Sequence, residues 1–344
     1  SESNSGLNFH VEVGALQTMD VSTKGGDFTR LMIPGFHTSM VEGQPQLPMM
    51  NRLISIPVGA NASVEVSNVR TRTIKLADYG ITNRVFPAQP SMSKSANPDE
   101  VAFVMDSAAY TTSAIRNEVA KVVYQGRMRA MDIGRLEISP VAYYPLTGEL
   151  EIIESLDVNI AFNGGDRGQA QDLMASTNSP FFDHLYAGMA GSRSFHDDYP
   201  DLVAEKVTYV IVTPPMFAGQ LSDFVAWKTE RGFDTILAVT GTPEVGSSAS
   251  EIRTYLHGLY NNATVENPAP SFVLFVGDVE QMPTFQESGD ATDRPYCAVD
   301  ADLVPDMYYG RFSATNPSQL QAQLDKTMMY DQFTMPDPSY MGDV

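Results

Sequence analysis

The sequence has 344 residues, which is enough for about two domains of ordinary size. Hydrophobic residues make up 43% and charged residues 19%, as in a typical globular protein, and this excludes general disorder. The 42 acidic and 22 basic residues give a formal charge of −20. That balance argues against a nucleic-acid-binding protein, because phosphate contacts need clustered Lys and Arg. No apolar run approaches the roughly 20 residues that a membrane-spanning helix needs.

The single cysteine, Cys297, excludes a disulfide within the chain and any zinc site built from several cysteines. The chain opens on a polar stretch and not on a basic segment followed by an apolar one. We therefore expect either no signal peptide or one that has already been removed.

The first 165 residues predict a β-rich domain. Short segments with alternating or β-branched residues recur between turns rich in Gly, Pro and Asn. Strands at this close spacing are typical of a sandwich or a barrel. The predicted strands are Asn8–Val13, Phe28–Ile33, Leu53–Val58, Ala62–Val69, Lys121–Tyr124, Leu136–Ile138 and Val158–Phe162.

Residues 166–206 predict a linker. Two stretches there are rich in Gly, Ser, Asn and Asp, the composition of exposed loops, where proteolytic nicks concentrate. The predicted organisation is therefore a β-rich domain at 1–165, a linker at 166–206 and a second domain at 207–344.

Residues 207–344 predict an α/β domain. Continuous apolar runs, typical of strands buried on both faces, alternate with segments whose apolar residues have helical spacing. This order predicts a parallel sheet flanked by helices, in which ligands gather at the carboxyl ends of the strands. The predicted strands are Val207–Thr213, Thr235–Thr240 and Ser271–Val276, and the predicted helices are Met216–Arg231, Ser248–Asn261 and Pro317–Phe333.

Acidic residues in the second domain have a spacing that suits a hard cation. Asp278 follows the third predicted strand, and Asp300, Asp302 and Asp306 stand at relative positions 1, 3 and 7, with the Val304 carbonyl at position 5. Calcium takes 6–8 oxygen ligands at about 2.3–2.6 Å, and this pattern can supply several of them.

Other interpretations of the acidic segment stay open. A solvated acidic turn explains the same residues without any ligand. The segment is not an EF-hand loop, since Pro305 stands where that loop needs Gly and Arg311 where it needs Glu. Magnesium is less favoured, because no Gly-rich phosphate-binding loop accompanies the acids.

Cys297 and His257 could in principle form a nucleophilic pair. Apolar residues flank Cys297, however, and a lone small thiol in that setting is usually buried in a core. No Gly-x-Ser-x-Gly elbow and no His-Glu-x-x-His motif occurs, so serine-hydrolase and zincin interpretations have no support.

Several longer stretches in both domains resemble the gingipain family of cysteine endopeptidases, and within it the lysine-specific members. The resemblance covers nearly the whole chain. Its stretches are Thr23–Gly26, Ile56–Ala60, Gln89–Ser95, Phe224–Phe233, Leu274–Asp278, Ala298–Asp302, Pro305–Tyr308 and Thr334–Tyr340.

The resemblance implies a β-rich inhibitory prodomain followed by the first, caspase-like α/β subdomain of an incomplete catalytic domain. The family's catalytic Cys, His and acid would lie beyond Val344, so the chain would contain no catalytic residue and Cys297 would not be the nucleophile. The implied partners are protein substrates and the C-terminal catalytic subdomain that this sequence does not include. The implied location is secreted or at the cell surface.

The resemblance also implies roles for individual residues. The implied calcium ligands are Asp278, Asp300, Asp302, the Val304 carbonyl and Asp306, and calcium is the implied cofactor.

For the zymogen, the resemblance implies activation by cleavage between Arg193 and Ser194. It also implies that a basic prodomain side chain fills the substrate pocket. Arg129 is the matching residue, with Arg127 as the near alternative.

Two other functions fit the sequence. The chain can belong to a non-catalytic relative that binds calcium as a surface or secretion-machinery component. It can also be a cation-binding α/β module unrelated to proteolysis, although the missing phosphate loop argues against phosphotransfer. Whether the natural chain continues into an acid, a His and a Cys distinguishes the peptidase from the non-catalytic relative.

Overall fold

The computed structural model describes residues 2–3, 6–97, 99–191, 206–300 and 302–337. The chain forms two compact units. The first comprises Ser1–Tyr124, Ile133–Gly165 and Ala187–Asp197, and the second comprises Gln125–Asp132, Asp166–Tyr186 and Asp198–Val344. Among the described residues, no helix is both long enough and apolar enough to span a membrane.

Strands make up most of the first unit, as the sequence predicts, and each predicted segment overlaps one of them. Short 3-10 turns occur at Leu76–Tyr79 and Ala109–Thr111. The strands are β1 (Glu2–Ser3), β2 (Gly6–Glu12), β3 (Gln17–Thr23), β4 (Gly26–Met32), β5 (His37–Thr38), β6 (Pro48–Ile56), β7 (Ala60–Lys75), β8 (Arg84–Val85), β9 (Ala120–Met128), β10 (Met131–Ile138), β11 (Val141–Tyr144) and β12 (Glu149–Gly164). Strands β9 and β10 contribute residues to both units.

The long strand β12 organises the largest sheet of the first unit. Strand β7 pairs antiparallel along one edge, while β11 and β2 share the other edge in succession. A second sheet has the order β5-β6-β10-β9, and a third has the order β3-β4-β8. Leu156 and Val158 of β12 share one buried cluster with Ile54 of β6 and Leu136 of β10, so the first two sheets pack face to face around an apolar core.

The second unit is built on a parallel sheet. Its strands are β13 (Val207–Thr213), β14 (Phe233–Val239), β15 (Phe272–Val276) and β18 (Tyr308–Phe312), in the order β14-β13-β15-β18 with all three pairings parallel. A small antiparallel pair, β16 (Phe285–Glu287) and β17 (Asp290–Thr292), follows β15. The helices are α1 (Arg167–Thr177), α2 (Asp183–Ala187), α3 (Pro215–Ala218), α4 (Ser222–Glu230), α5 (Ala249–Asn261), α6 (Arg294–Cys297) and α7 (Pro317–Asp331), with a 3-10 turn at Gly219–Leu221.

Helices cover both faces of the parallel sheet. On one face, Val210 and Phe275 pack against Ile252 of α5. On the other, Ile211 packs in one cluster with Phe224 of α4 and with α7 residues. Successive side chains of a strand point to opposite faces, which is why the strand sequences are apolar without interruption.

The segment predicted as a linker contains regular structure. Helix α1 begins after Asp166, whose side chain accepts a hydrogen bond from the Gln169 backbone N–H at 2.9 Å and so caps the helix. The short helix α2 follows, and both helices belong mainly to the second unit. Residues 192–205 of the predicted linker lie outside the described residues.

Candidate functional site: an acidic loop and a hairpin tip

The acidic segment lies in the second unit between α6 and β18. We call residues 299–306 the acidic loop, of which 301 lies outside the described residues. Its last residue, Asp306, donates its backbone N–H to the Cys297 carbonyl at 2.8 Å and has no exposed surface. The Asp306 carboxylate closes the loop, because Oδ2 accepts the Val299 N–H at 2.9 Å.

A second segment of the same unit meets this loop. We call residues Gln125–Asp132 the hairpin tip. The Arg129 N–H donates to Asp306 Oδ1 at 2.7 Å, and the Arg127 N–H donates to Asp302 Oδ2 at 2.7 Å. The other oxygen of Asp302, Oδ1, accepts the Val304 N–H at 2.7 Å. Both carboxylates are therefore bound by backbone amides on both of their oxygens.

The Arg129 side chain is buried, with 1% of its surface exposed. Nε donates to the Thr177 carbonyl at 2.6 Å, Nη1 to the carbonyls of Pro270 and Asp306 at 2.9 and 2.8 Å, and Nη2 to that of Ala269 at 3.3 Å. Four carbonyl oxygens thus surround one planar group, which suits a guanidinium and not a point-like ammonium.

Aromatic rings complete the Arg129 environment. The guanidinium carbon lies 4.7 Å from the ring centroid of Phe182 and 5.7 Å from that of Tyr260, within cation–π range. The Arg129 backbone has a φ of 55°, a left-handed conformation that few non-glycine residues adopt. The hydrogen bonds and ring contacts of the Arg129 side chain therefore hold its backbone in a conformation that would otherwise be unfavourable.

Arg127 is held by its own ion pair within the hairpin tip. Its Nε lies 2.7 Å from Asp132 Oδ1 and its Nη2 lies 3.2 Å from Oδ2, and both groups are largely buried. Partial burial raises the pKa of Asp300 above its usual value, and the charges of Asp302 and Asp132 add to the rise, while the Arg127 guanidinium counteracts part of it. Arg127 thus balances the negative charge of several neighbours.

Burial dominates the electrostatics of Asp306. Desolvation raises its pKa from 3.8 to about 6, the amide donors of Arg129 and Val299 counteract part of the rise, and the charges of Asp300 and Asp302 add to it. A carboxylate among like charges and without water is costly to ionise, so the amide donors are needed to keep it charged at neutral pH.

Asp278 does not join these residues. It follows the carboxyl end of β15, where its Oδ1 accepts the Val279 N–H at 2.8 Å, whereas Asp306 precedes the amino end of β18. Phe272 pairs with Tyr308 in parallel register, so the length of the strands, about 13 Å, separates the two positions at least. One cation cannot bind both, so Asp278 would have to bind a different cation from any at Asp306, and its role as a calcium ligand stays a prediction.

Within the described residues, no group of three or more His, Cys, Asp or Glu side chains is gathered closely enough to hold a metal ion. The carboxylates of Asp302 and Asp306 accept hydrogen bonds from backbone amides instead. The calcium prediction for Asp300, Asp302, the Val304 carbonyl and Asp306 stays a prediction.

Cys297 and His257 do not have the properties of a catalytic pair. Cys297 has no exposed surface, and burial raises its pKa well above the usual value, so the thiol stays protonated. Burial also lowers the pKa of His257, and its buried Nε2 has no hydrogen-bond partner among the described residues.

His257 also lines a cavity of about 830 Å³ beside the acidic loop, together with Arg253, Arg294 and Asp302. The sequence gives no sign of this cavity. Its walls come from α5 and from the segments around β16 and α6, which are not adjacent in the chain.

Two site predictions have different outcomes in the structure. Arg193 and Ser194 lie outside the described residues. Arg129 is described, but its guanidinium is bound at the amino ends of β15 and β18, and its predicted place in a substrate pocket stays a prediction. The partners of Arg129 were not visible in the sequence, since Asp306 is 177 positions away.

Comparisons with known proteins match both halves of the chain. The model of the C25 propeptide matches residues 1–181, and the model of peptidase family C25 matches residues 203–343. The chain is 34% identical over 327 residues to Lys-gingipain W83 of Porphyromonas gingivalis, covering 94% of this chain and 19% of that protein. The chain is 23% identical to Gingipain R2 of the same species, and the match covers 43% of that protein's length.

A solved structure concerned with the zymogenic latency of gingipain K from Porphyromonas gingivalis is also similar. It is 31% identical with a TM-score of 0.45, covering 48% of this chain and 92% of that one. The chain spans about a fifth of the length of the Lys-gingipains that it matches.

We expect Arg129→Lys to lower the free energy of unfolding of the second unit by on the order of 2–4 kcal/mol, because an ammonium cannot satisfy four carbonyls in one plane. Urea unfolding followed by the fluorescence of Trp227, the single tryptophan, measures this. The matched control is Arg135→Lys, whose parent side chain pairs with Glu137 on the first unit's part of β10. Equal stability of the Arg129 variant and the parent would contradict the anchoring role.

We expect Asp306→Asn to change how stability depends on pH. The folded pKa of Asp306, about 6, lies above the unfolded value of 3.8, so the folded state binds the extra proton between these values. Protonation of Asp306 therefore adds stability as the pH falls from above 6 to about 4, on the order of 2 kcal/mol, and the asparagine variant loses this component. Urea unfolding at pH 4.5 and 7.5 tests it, with Asp325→Asn on the exposed face of α7 as the control. An identical pH response in all three proteins would refute the assignment.

Proposed function

Because the chain belongs to the C25 peptidase family, whose propeptide model covers more than half of it, we propose that it is the zymogen segment of a secreted, gingipain-like cysteine endopeptidase that acts on protein substrates. The observation that carries this proposal is the order of the two matches, a propeptide followed by part of a peptidase domain on one chain. The segment comprises that propeptide and one α/β part of the catalytic domain.

The chemistry of the whole enzyme is proposed to depend on sequence after Val344. A cysteine peptidase needs an accessible thiolate assisted by a base. The only cysteine here is buried and protonated, so a separate Cys, His and acid would carry the reaction. In this proposal the parallel sheet of the second unit is half of a caspase-like catalytic sheet, and the missing C-terminal subdomain is its partner.

The hairpin tip is proposed to help keep the zymogen latent. Arg127 and Arg129 lie in the part matched by the propeptide model, whereas Asp302 and Asp306 lie in the part matched by the peptidase model. The contacts between these residues support a role for the tip in binding propeptide residues to peptidase residues. Occupation of the substrate pocket by Arg129 or Arg127 is a further part of the proposal.

Calcium binding is proposed for the acidic loop without Asp278. The loop is rich in carboxylates, the ligand type that calcium prefers. Burial raises the pKa of Asp306, and the charges of Asp300 and Asp302 add to that rise. The Val304 carbonyl adds an oxygen of the type that calcium accepts.

The reactive thiol of the natural protein is the first test. We expect an irreversible thiol-directed peptide inhibitor to label a cysteine beyond residue 344 in the protein purified from its source, located by peptide mapping. Cys297→Ser in the full-length protein is expected to retain peptidase activity, since the Cys297 thiol is buried. Labelling of Cys297, or a natural chain that ends without another cysteine, would defeat the peptidase proposal.

Activation is proposed to occur by cleavage between Arg193 and Ser194. Arg193 is the only Lys or Arg between the end of the propeptide match at 181 and the start of the peptidase match at 203. We expect limited digestion with trypsin to yield a fragment that begins at Ser194, and Arg193→Gln to abolish that fragment. Arg116→Gln is the control, because Arg116 is bound to Tyr144 and Glu151 in the first unit. A first cut elsewhere in the parent chain would show that this site is not the activation point.

A further inference from the structure

The cavity of about 830 Å³ lies along helix α5 of the second unit. Two rows of α5 residues, spaced four apart, form one wall, and β16 and the start of α6 form the other. The wall on α5 runs from Arg253 to Asn262, which is about 13 Å along the helix axis. A cavity of this volume is in the range of sites that bind small organic molecules.

Arg253 gives the cavity a positive charge that no acid of the described residues neutralises. Its guanidinium carbon lies 5.2 Å from the ring centroid of Phe285, and among the described residues it has neither an ion pair nor a hydrogen bond. The other arginine of the cavity, Arg294, is already occupied, since it pairs with Glu287 and donates to the Asp302 carbonyl at 2.8 Å. A guanidinium with open donors on an aromatic ring suits a planar anion.

The other titratable groups of the cavity add no second cation. Burial lowers the pKa of His257, the charge of Arg253 lowers it further, and the Pro295 and Tyr296 backbone counteracts only part of the shift. The imidazole is therefore neutral at pH 7. The Asp302 carboxylate accepts two backbone amides. One unpaired positive charge matches a carboxylate better than a phosphate group, which carries nearly two negative charges at neutral pH.

Gly258 leaves open space in the α5 wall. It lies inside the helix, where glycine is less favourable than alanine, and its φ is not in the left-handed region. A Cβ built on Gly258 would meet no atom within 4 Å. No neighbouring group of this structure therefore requires glycine here. A missing side chain beside open space lets a ligand approach the helix backbone closely.

We propose that this cavity binds the terminal carboxylate of a short peptide. The Arg253 guanidinium holds the carboxylate beside the Phe285 ring, and the peptide chain lies against Gly258. The side-chain amides of Asn261 and Gln286, on opposite walls, each offer a donor and an acceptor to peptide groups. Three extended peptide residues span about 10 Å, which fits the length of the α5 wall.

This site is independent of the proposed peptidase activity and of calcium. Its anchor, Arg253, is not among the predicted calcium ligands, and all of its residues belong to the second unit. Failure of the thiol-labelling test therefore leaves the peptide site standing, and the reverse also holds.

Calorimetric titration of the full chain with N-acetyl-trialanine and with its C-terminal amide tests the proposal. The carboxylate peptide is expected to bind at least about tenfold more tightly than the amide, and Arg253→Gln is expected to abolish this preference. The control is Arg231→Gln, whose parent guanidinium lies 5.8 Å from the Trp227 ring centroid outside the cavity, and it is expected to match the parent chain. Equal affinity for both peptides, no binding of either, or a full preference in the Arg253 variant overturns the proposal.

Gly258→Leu tests the site without removing a charge. Leucine favours the helix more than glycine does, so the variant is expected to fold, with an unchanged far-ultraviolet circular dichroism spectrum. Its side chain fills the space beside α5, and binding of the carboxylate peptide is expected to weaken at least about tenfold. Affinity equal to that of the parent chain would show that the peptide does not lie against Gly258 and would overturn this placement.

The imidazole of His257 reports occupancy of the site directly. A carboxylate beside Arg253 offsets the guanidinium charge that lowers the pKa of His257. We therefore expect a saturating amount of the carboxylate peptide to raise that pKa, followed by the proton resonance of the ring carbon between the two nitrogens and assigned by its absence in His257→Gln. The amide peptide is the control. An unchanged His257 pKa at saturation would overturn binding beside Arg253.

Discussion

A single buried carboxylate, that of Asp306, holds the candidate site together. Removing an ionised carboxylate from water costs several kcal/mol unless hydrogen-bond donors replace the water. Here the donors come from Val299 in the same loop and from Arg129 in a distant part of the sequence, with the Tyr260 hydroxyl of α5 at 3.5 Å. The Asp306 carboxylate thereby holds the acidic loop, the hairpin tip and helix α5 in contact with one another.

The parallel sheet provides the second half of that arrangement. Strands β15 and β18 run in the same direction, so the carbonyls of Ala269 and Pro270 and that of Asp306 lie at the same edge and point at one guanidinium. Because the two strands are parallel, the carbonyls before their amino ends lie side by side and together bind the Arg129 side chain. A row of carbonyls has a geometric preference for Arg over Lys, which charge alone does not give.

Local patterns in the sequence predicted the elements but not their long-range contacts. Uninterrupted apolar runs predicted β13 and β15, since both faces of those strands are buried. Strand β18 escaped prediction because Gly310 and Arg311 interrupt its apolar pattern. Without β18 the edge that carries Asp306 could not be located, so the sequence could not show that Asp278 and Asp306 lie at opposite ends of the sheet. Helix α1 was not predicted, because glycines around it are typical of a loop, although Asp166 is a recognisable helix cap.

The second unit is discontinuous in sequence, with parts from three separate segments, and this affects its assembly during synthesis. Arg129 leaves the ribosome 177 residues before Asp306, so its side chain stays hydrated while most of the remaining chain is made. Closing so long a loop costs only modestly more free energy than closing a loop half as long, because the entropic cost grows with the logarithm of length. The delay is kinetic: the first unit can form early, while the second stays unfinished until nearly the last strand has emerged.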